Sequence, residues 1–260
     1  MIEAILDLPP HVRERLAVAL ESGLLSGSPP ATALQSVLGS AEWAARASNA
    51  LGEFAPFALS GSAIAAWIRS LNMAEARSPR ADLVWSGPEV PGVHARSTRR
   101  VYEELIGAAE RSLWISTYAF FDGPKAFETL ARRMDAVPTL NATVLLNLKR
   151  KHGDTSSADQ LVRRFADRFW TIEWPGRSRP RIYFDPRALE LDGPGGVLHA
   201  KAVVADGEAV FVTSANLTEA ALDRNIELGL LVRDRTLAAS ISSHFRGLIE
   251  RGVLTPLPQE

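Results

Sequence analysis

The chain has 260 residues, 46% of them apolar, no cysteine and a formal net charge of −1. That apolar share can bury a substantial core, and the missing thiols exclude disulfides, cysteine nucleophiles and cysteine-rich zinc sites. No apolar run reaches the roughly 18 residues a membrane-spanning helix needs, and Met1 to Pro10 carries Glu3 and Asp7 where a secretory leader has a basic head. The expectation is a cytoplasmic protein with no membrane partner.

In chain order, Val12 to Leu25, Ala31 to Leu38, Ala41 to Leu51 and Ser62 to Ala76 read as helices, with Pro29-Pro30 and Gly61 as breakers between them. Leu16, Val18, Ala19 and Leu20 suit a small packed bundle; a helix-turn-helix is the other arrangement open to these segments, and no motif here implies chemistry. The register changes near Ser78-Pro79-Arg80, which divides the chain into a helical N-terminal region, 1–80, and a second domain, 81–256. In the second domain Ala81 to Trp85 is a short strand closed by Ser86-Gly87-Pro88-Glu89. Thr98 to Arg111 is amphipathic, with Val101, Leu105 and Ala108 on one face, and is expected to be a helix. A strand over Ser112 to Phe120, a helix over Pro124 to Met134, a strand over Thr143 to Leu148, a helix over Ser157 to Phe169 and a strand over Arg181 to Phe184 follow. This alternation predicts an α/β domain, a central sheet covered by helices.

The last third carries the chemistry. Leu198 to Ala205 and Glu208 to Ser214 are two β-rich runs joined by Asp206-Gly207, the strongest short-range hairpin signal. With Asp206 and Gly207 as a two-residue loop, Ala205 pairs with Glu208, Lys201 stands opposite Val212, and His199 opposite Ser214. Side chains alternate along a strand, so His199, Lys201, Val212, Ser214 and Asn216 share one face while Thr213 points to the other. Asp206 lies in the turn, about 23 Å from His199 at roughly 3.3 Å per residue, and is expected to be structural. The next strand, Asn225 to Val232, sets Glu227 among apolar residues. A carboxylate there needs a partner, and an imidazole one strand away would serve, because a carboxylate on one ring nitrogen fixes the tautomer and frees the other to attack. A lone His-x-Lys on a strand is ordinarily a solvated face. Six such positions at set spacing recur by chance on the order of once in a hundred thousand chains of this length.

Those residues resemble the signature of the phospholipase D superfamily, H-x-K-x(4)-D followed by G-S-x-N: here His199-Ala200-Lys201, four residues, Asp206, then Thr213-Ser214-Ala215-Asn216, with Thr213 in place of the usual glycine. Asn225-Ile226-Glu227 matches the place where the nuclease branch keeps a glutamate. The likeness runs over about residues 81 to 256 and implies a phospholipase D-like α-β-α sandwich with a mixed central sheet, preceded here by a small all-α N-terminal region. Further segments, Val84 to Glu89, Ser116 to Phe120 and Leu198 to Lys201, are similar to the phospholipase D-like component of bacterial DISARM anti-phage islands. That would imply a role in defence, DNA as substrate and other defence-system proteins as partners.

What the resemblance implies chemically is a two-step displacement: His199 attacks phosphorus, a second histidine protonates the leaving oxygen and then activates water, Lys201, Ser214 and Asn216 hold the phosphoryl oxygens, and Glu227 orients His199. Only one such motif is present; His94-Ala95-Arg96 lacks the acid and His152-Gly153-Asp154 the lysine, while His11 and His244 lie in helical segments. A homodimer supplying a second His199 is therefore expected. At most two acidic side chains lie near the motif, with no histidine cluster, so neither metal nor other cofactor is expected. Between Gly92 and Ile182, 16 Lys and Arg stand against 10 Asp and Glu, clustered at Arg96 to Arg100, Lys149-Arg150-Lys151 and Arg177 to Arg181. Such an excess favours a polyanionic substrate such as nucleic acid, with Lys149, Arg150, Lys151 and Tyr118 as substrate contacts. The rivals are a lipid phosphodiesterase, which would show an apolar rim or a basic amphipathic helix, neither legible here, and a DNA-binding or scaffolding subunit without catalysis.

Overall fold

A computed structural model describes residues 5–26, 28–191 and 196–259 of the chain. It divides into two compact units, Met1–Ser78 and Pro79–Glu260.

The first unit holds α1 (Pro10–Glu21), α2 (Ala31–Leu38), α3 (Ala41–Gly52) and α4 (Gly61–Arg77). Leu16, Leu20, Leu34, Leu38, Leu51, Ile64 and Ile68 are buried together as its core. α1 ends four residues before the expected Leu25, because Gly23, at φ 75°, turns the chain and brings Leu25 back into that core. Val18 is exposed rather than buried, since it falls on the solvent side of α1. Gly61 is required by close approach: a Cβ there would sit 2.5 Å from the Leu20 carbonyl oxygen. Among the described residues no single helix is long and apolar enough to cross a membrane.

The second unit is built on a sheet of nine strands among the described residues: β1 (Ala81–Ser86), β2 (Arg96–Ser97), β3 (Ser112–Thr117), β4 (Asn141–Leu146), β5 (Arg181–Phe184), β6 (Ala202–Ala205), β7 (Ala209–Thr213), β8 (Glu227–Val232) and β9 (Thr255–Pro256). Their order is β2-β1-β8-β7-β6-β3-β4-β5-β9. β3, β4 and β5 run parallel, β3-β6-β7-β8-β1 are successively antiparallel, and the sheet is therefore mixed. On one face α5 (Thr98–Ala108), α6 (Gly123–Ala126), α7 (Glu128–Ala136) and α8 (Ala158–Arg168) enclose the main core, where Val101, Leu105 and Leu130 meet Leu113, Ile115, Val203 and Phe211. On the other, α9 (Arg235–Glu250) packs Ala238 and Ile241 on Val204 and Val210, and Phe245 and Leu248 on Leu145. The result is an α-β-α sandwich.

Two expected elements differ. The helix expected over Pro124 to Met134 is two pieces, α6 and α7, broken at Phe127, whose backbone (φ −102°, ψ 2°) leaves the helical well while its ring is buried. The hairpin loop has three residues, not two: Ala205 pairs with Ala209, and Asp206 (φ 53°) and Gly207 (φ 68°) are both left-handed. Because side chains alternate, one extra residue exchanges the faces of one strand against the other. Lys201 consequently stands opposite Thr213, whose N–H donates to the Lys201 carbonyl at 3.1 Å, and Thr213 lies on the face of Lys201 rather than away from it. His199 precedes β6 and has no ladder partner in Ser214.

Candidate active site

The topology brings one edge of the sheet together. β3, β4, β7 and β1 end there, and β6 and β8 begin there. A crevice outside the carboxyl ends of parallel strands is where open α/β sheets bind ligands. The loops at this edge carry Tyr118, Asn147, Lys149, His199, Lys201, Ser214 and Asn216, and Glu227 opens β8 there.

His199 is an exposed ring on an anchored backbone. Leu198 N–H donates to Asn147 Oδ1 at 3.2 Å, and the fully buried Ser116 donates its hydroxyl to the Ala200 carbonyl at 2.8 Å. The imidazole packs on Tyr118, ring centroids 4.7 Å apart. Lys201 Nζ lies 3.1 Å from His199 Nδ1, 3.4 Å from Nε2 and 2.8 Å from the His199 carbonyl oxygen, and 5.6 Å from the Tyr118 ring centre. Lys201 is buried, and burial pushes its pKa below the ordinary lysine value, offset in part by the negative charge of Glu227. The ammonium therefore lies against the ring, within reach of both its nitrogens.

Among the described residues Glu227 makes no hydrogen bond to His199. Its carboxylate accepts from the Ser214 hydroxyl and from Asn225 Nδ2 (3.4 Å), and Ser214 Oγ in turn accepts the Leu228 N–H at 3.1 Å. Ser214 thus holds Glu227. Asn216 accepts the Ala119 N–H on Oδ1 at 3.2 Å, and its Nδ2 carries no hydrogen bond among the described residues. The loop that bears Asn216 is tied to the end of β3 by Leu217 N–H to Thr117 Oγ1 (3.3 Å). Asp206 accepts three backbone N–H groups, from Glu110 (2.9 Å), Arg111 (2.7 Å) and Ser112 (2.9 Å). It fastens the hairpin tip to the start of β3, far from the imidazole.

Ser116, Thr117 and Asn147 are positioning residues that the motif alone does not announce. The available signal was a Ser-Thr pair closing an otherwise apolar strand, a place where fully buried hydroxyls need partners.

The basic clusters separate on inspection of their partners. Lys149 is exposed and lines a cavity of about 410 Å³ beside Tyr118. Arg150 is not available to a substrate: Nε and Nη2 donate to the Leu189 carbonyl (2.9 and 2.5 Å), and Nη1 to those of Asp154 (2.8 Å) and Ser156 (2.6 Å). Lys151 is exposed and carries no ion pair among the described residues. Arg96 pairs with Asp82 and Glu104, Arg99 with Asp223 and Glu219. Arg177 faces Asp135, Arg179 stacks on Trp170, and Arg181 bonds Asn141 and Thr143. Most of the positive excess is therefore committed inside the chain. Nor is an apolar rim missing, as the sequence reading had it: Phe121 is 73% and Ile226 70% exposed, beside Asn216 and Glu227 in sequence and loop. Among the described residues no three His, Asp or Glu side chains converge as a metal site would need.

A mixed sheet between two helical layers, with an imidazole, an ammonium and an amide gathered at one strand edge, defines an α/β domain suited to handling a phosphoryl group. The family described as cardiolipin synthase, PLD-like domain, matches residues 102–249. The chain belongs to this phospholipase D-like family, whose members act on phosphodiester bonds. It is 23% identical over 167 residues to the probable cardiolipin synthase YwiE of Bacillus subtilis (strain 168), a match covering 63% of this chain and 28% of that relative, well under a third of its length. Among solved structures it is similar to Nuc, a phospholipase D family member from Salmonella typhimurium (TM-score 0.46, 18% identity, 69% of this chain and 98% of that one). It is also similar to NucT from Helicobacter pylori (0.47, 16%, 69% and 99%) and to phosphatidylserine synthase of Haemophilus influenzae Rd KW20 (0.47, 16%, 76% and 48%).

Proposed function

We propose that the chain is a metal-independent phosphodiesterase that cuts DNA through a phosphohistidine intermediate, in a site completed by a second copy of itself, and that it serves in anti-phage defence. The observation that carries this reading is the exposed His199 ring, set between Tyr118 and the buried Lys201. A nitrogen lone pair of His199 attacks phosphorus, a P–N bond forms, and the P–O bond to the leaving sugar breaks. The leaving oxygen takes a proton from His199 of the second copy. That imidazole then removes a proton from water, whose oxygen attacks phosphorus and restores the first histidine. Lys201 and the Asn216 amide Nδ2 supply positive charge and a donor to the non-bridging oxygens. Glu227, held by Ser214, sets the field around Lys201.

Support for two copies comes from the count of imidazoles, one per chain at this edge, and from exposed apolar residues Val212, Leu228 and Leu230, which adjoin Ser214 and Glu227 on the sheet. The segments that resemble the DISARM component support a defence role alongside other proteins of such a system. A second reading, action on a phospholipid, is favoured by the exposed Phe121 and Ile226 and by the relative named as a cardiolipin synthase.

Wild type and His199→Ala are to be assayed on DNA, RNA and phosphatidylglycerol vesicles with EDTA present, and then mixed under conditions of subunit exchange. The expected result is DNA cleavage by wild type alone, with activity per wild-type chain falling as the mutant is titrated in. Turnover of lipid without DNA would establish the second reading, and no turnover of any substrate would leave a binding subunit. A monomer fully active at nanomolar concentration would refute the shared site.

A further inference from the structure

The cavity beside Tyr118 has a composition that the reaction described above does not explain. Five aromatic residues line it, and the only aliphatic side chain among its lining residues is that of Ala119. Tyr118 forms one wall and packs on His199 at 4.7 Å, so the cavity begins one ring's thickness from the attacking imidazole. Phe165 is already stacked on Phe169 at 6.0 Å and 18°. Phe121, 73% exposed at the mouth, has no ring partner among the described residues. Its exposed face is free to meet a planar ligand.

The polar groups narrow the occupant. Glu173 is buried in the wall, but both its oxygens are engaged, Oε2 by the Gly123 N–H at 2.9 Å and Oε1 by Arg168 Nε at 2.8 Å. Asn147 Oδ1 is taken by Leu198. The walls therefore offer aromatic surface from Tyr118, Phe120, Phe121 and Phe165, and the one lining carboxylate without a hydrogen bond among the described residues is that of Asp122. Lys149, on the same rim, carries no ion pair among the described residues, whereas Asp122 presents the opposing charge on the other side.

We infer that this cavity is a stacking subsite for the nucleobase next to the scissile phosphate, indifferent to base identity, with Lys149 on the phosphate that follows. It rests on the nuclease reading and deepens it. Aromatic platforms interleaved with a cation are how single strands are held without sequence preference, because every base has a π-face. An acyl chain, the rival occupant, is ordinarily packed by aliphatic side chains, which this lining lacks. The single unpaired lysine sets one phosphate contact, and stacking supplies the rest. Phe121 acts as the lid of the stack, free to close because no neighbouring ring holds it.

The test uses the full chain and a dinucleotide with a single phosphodiester, thymidylyl-thymidine, beside counterparts that lack one or the other base. Phe121 is exposed, so Phe121→Ala and Phe121→Leu leave the core intact, which circular dichroism checks. Both are expected to lower kcat/KM on the intact dinucleotide by about tenfold, whereas Phe121→Trp retains it, as loss of one base stack requires. On the counterpart lacking the stacked base, wild type is expected to be reduced to the same level and the Phe121 variants to cause no further loss. Equal cleavage of intact and abasic dinucleotides by wild type, or wild-type behaviour of Phe121→Leu, would overturn the subsite while leaving the nuclease reading in place. Turnover of phosphatidylglycerol with no cleavage of any dinucleotide would instead overturn the nuclease reading itself, and the subsite with it.

Discussion

Asp206 offers the sharpest test of how the motif is built, since the resemblance places it in the signature and the structure places it far from the chemistry. Its carboxylate accepts three backbone N–H groups, and its backbone stands at φ 53°. Hydrogen bonds to a charged acceptor are each worth about 1.5–3 kcal/mol; the turn is half-buried and three donors share two oxygens, so the set is better placed near the low end. Asp206→Asn keeps one acceptor oxygen and tolerates the left-handed backbone, and is expected to cost about 1.5 kcal/mol. Asp206→Ala loses all three bonds, about 4.5 kcal/mol at the low end, and adds left-handed strain of about 1 kcal/mol, for about 5.5 kcal/mol in all. In a unit of this size 1 kcal/mol moves Tm by roughly 2–4 °C, so shifts of about 3–6 °C and about 11–22 °C should appear in thermal melts followed by circular dichroism. The pH dependence carries a sign. Burial pushes the Asp206 carboxyl up, but the N–H donors of Ser112, Glu110 and Arg111 outweigh it and hold the pKa below its ordinary value of 3.8. A depressed folded pKa contributes stability that is present above the unfolded value and is lost as pH falls through the folded one. The gap between wild type and Asp206→Asn should therefore be full at neutral pH and close below 3.8. Equal melting of wild type and Asp206→Ala, or a gap that widens in acid, would refute this account of the turn.

Lys201 is held below the ordinary lysine value of 10.5 by burial and raised in part by Glu227, so the alkaline limb of kcat/KM should fall below that value, and Glu227→Gln should move it to still lower pH. A limb that stays put or rises in the pH profile would contradict the coupling. Arg150→Ala strands three carbonyls and is expected to destabilise by about 2–3 kcal/mol with DNA affinity intact, whereas Lys149→Ala should leave Tm unchanged and reduce the salt slope of DNA binding by about 1; melts and binding titrations across salt separate the two. Activity should persist in excess EDTA, and its abolition with rescue by magnesium would rule out the histidine mechanism.

Periodicity made most of the second unit legible, because its elements are long and half-buried. The strand over Arg181 to Phe184 and, in the first unit, the helix α2 fall on the expected residues, and the helix expected from Ser157 begins there, with Ser157 as N-cap accepting the Gln160 N–H. Short-range signals failed where tertiary packing decides. The Phe127 break answers to a buried ring, not to a local breaker. The basic clusters looked alike in sequence, yet Arg150 is fixed by carbonyls of a distant turn and Lys149 is not, a distinction no spacing could reveal.

The hairpin shows what a single misplaced residue does to a functional reading. An Asp-Gly pair admits both a two- and a three-residue loop, and in the longer one found here Asp206 accepts the N–H groups of Glu110, Arg111 and Ser112. That choice places Lys201 opposite Thr213 on the core face, where burial lowers its pKa and its ammonium lies against the His199 ring. It also sorts the remaining motif residues. Ser214 donates to Glu227, whereas Asn216 accepts the Ala119 N–H on Oδ1 and its Nδ2 carries no hydrogen bond among the described residues. The turn acid thus reaches the chemistry through register alone: it determines which side chain of the strand stands beneath the imidazole.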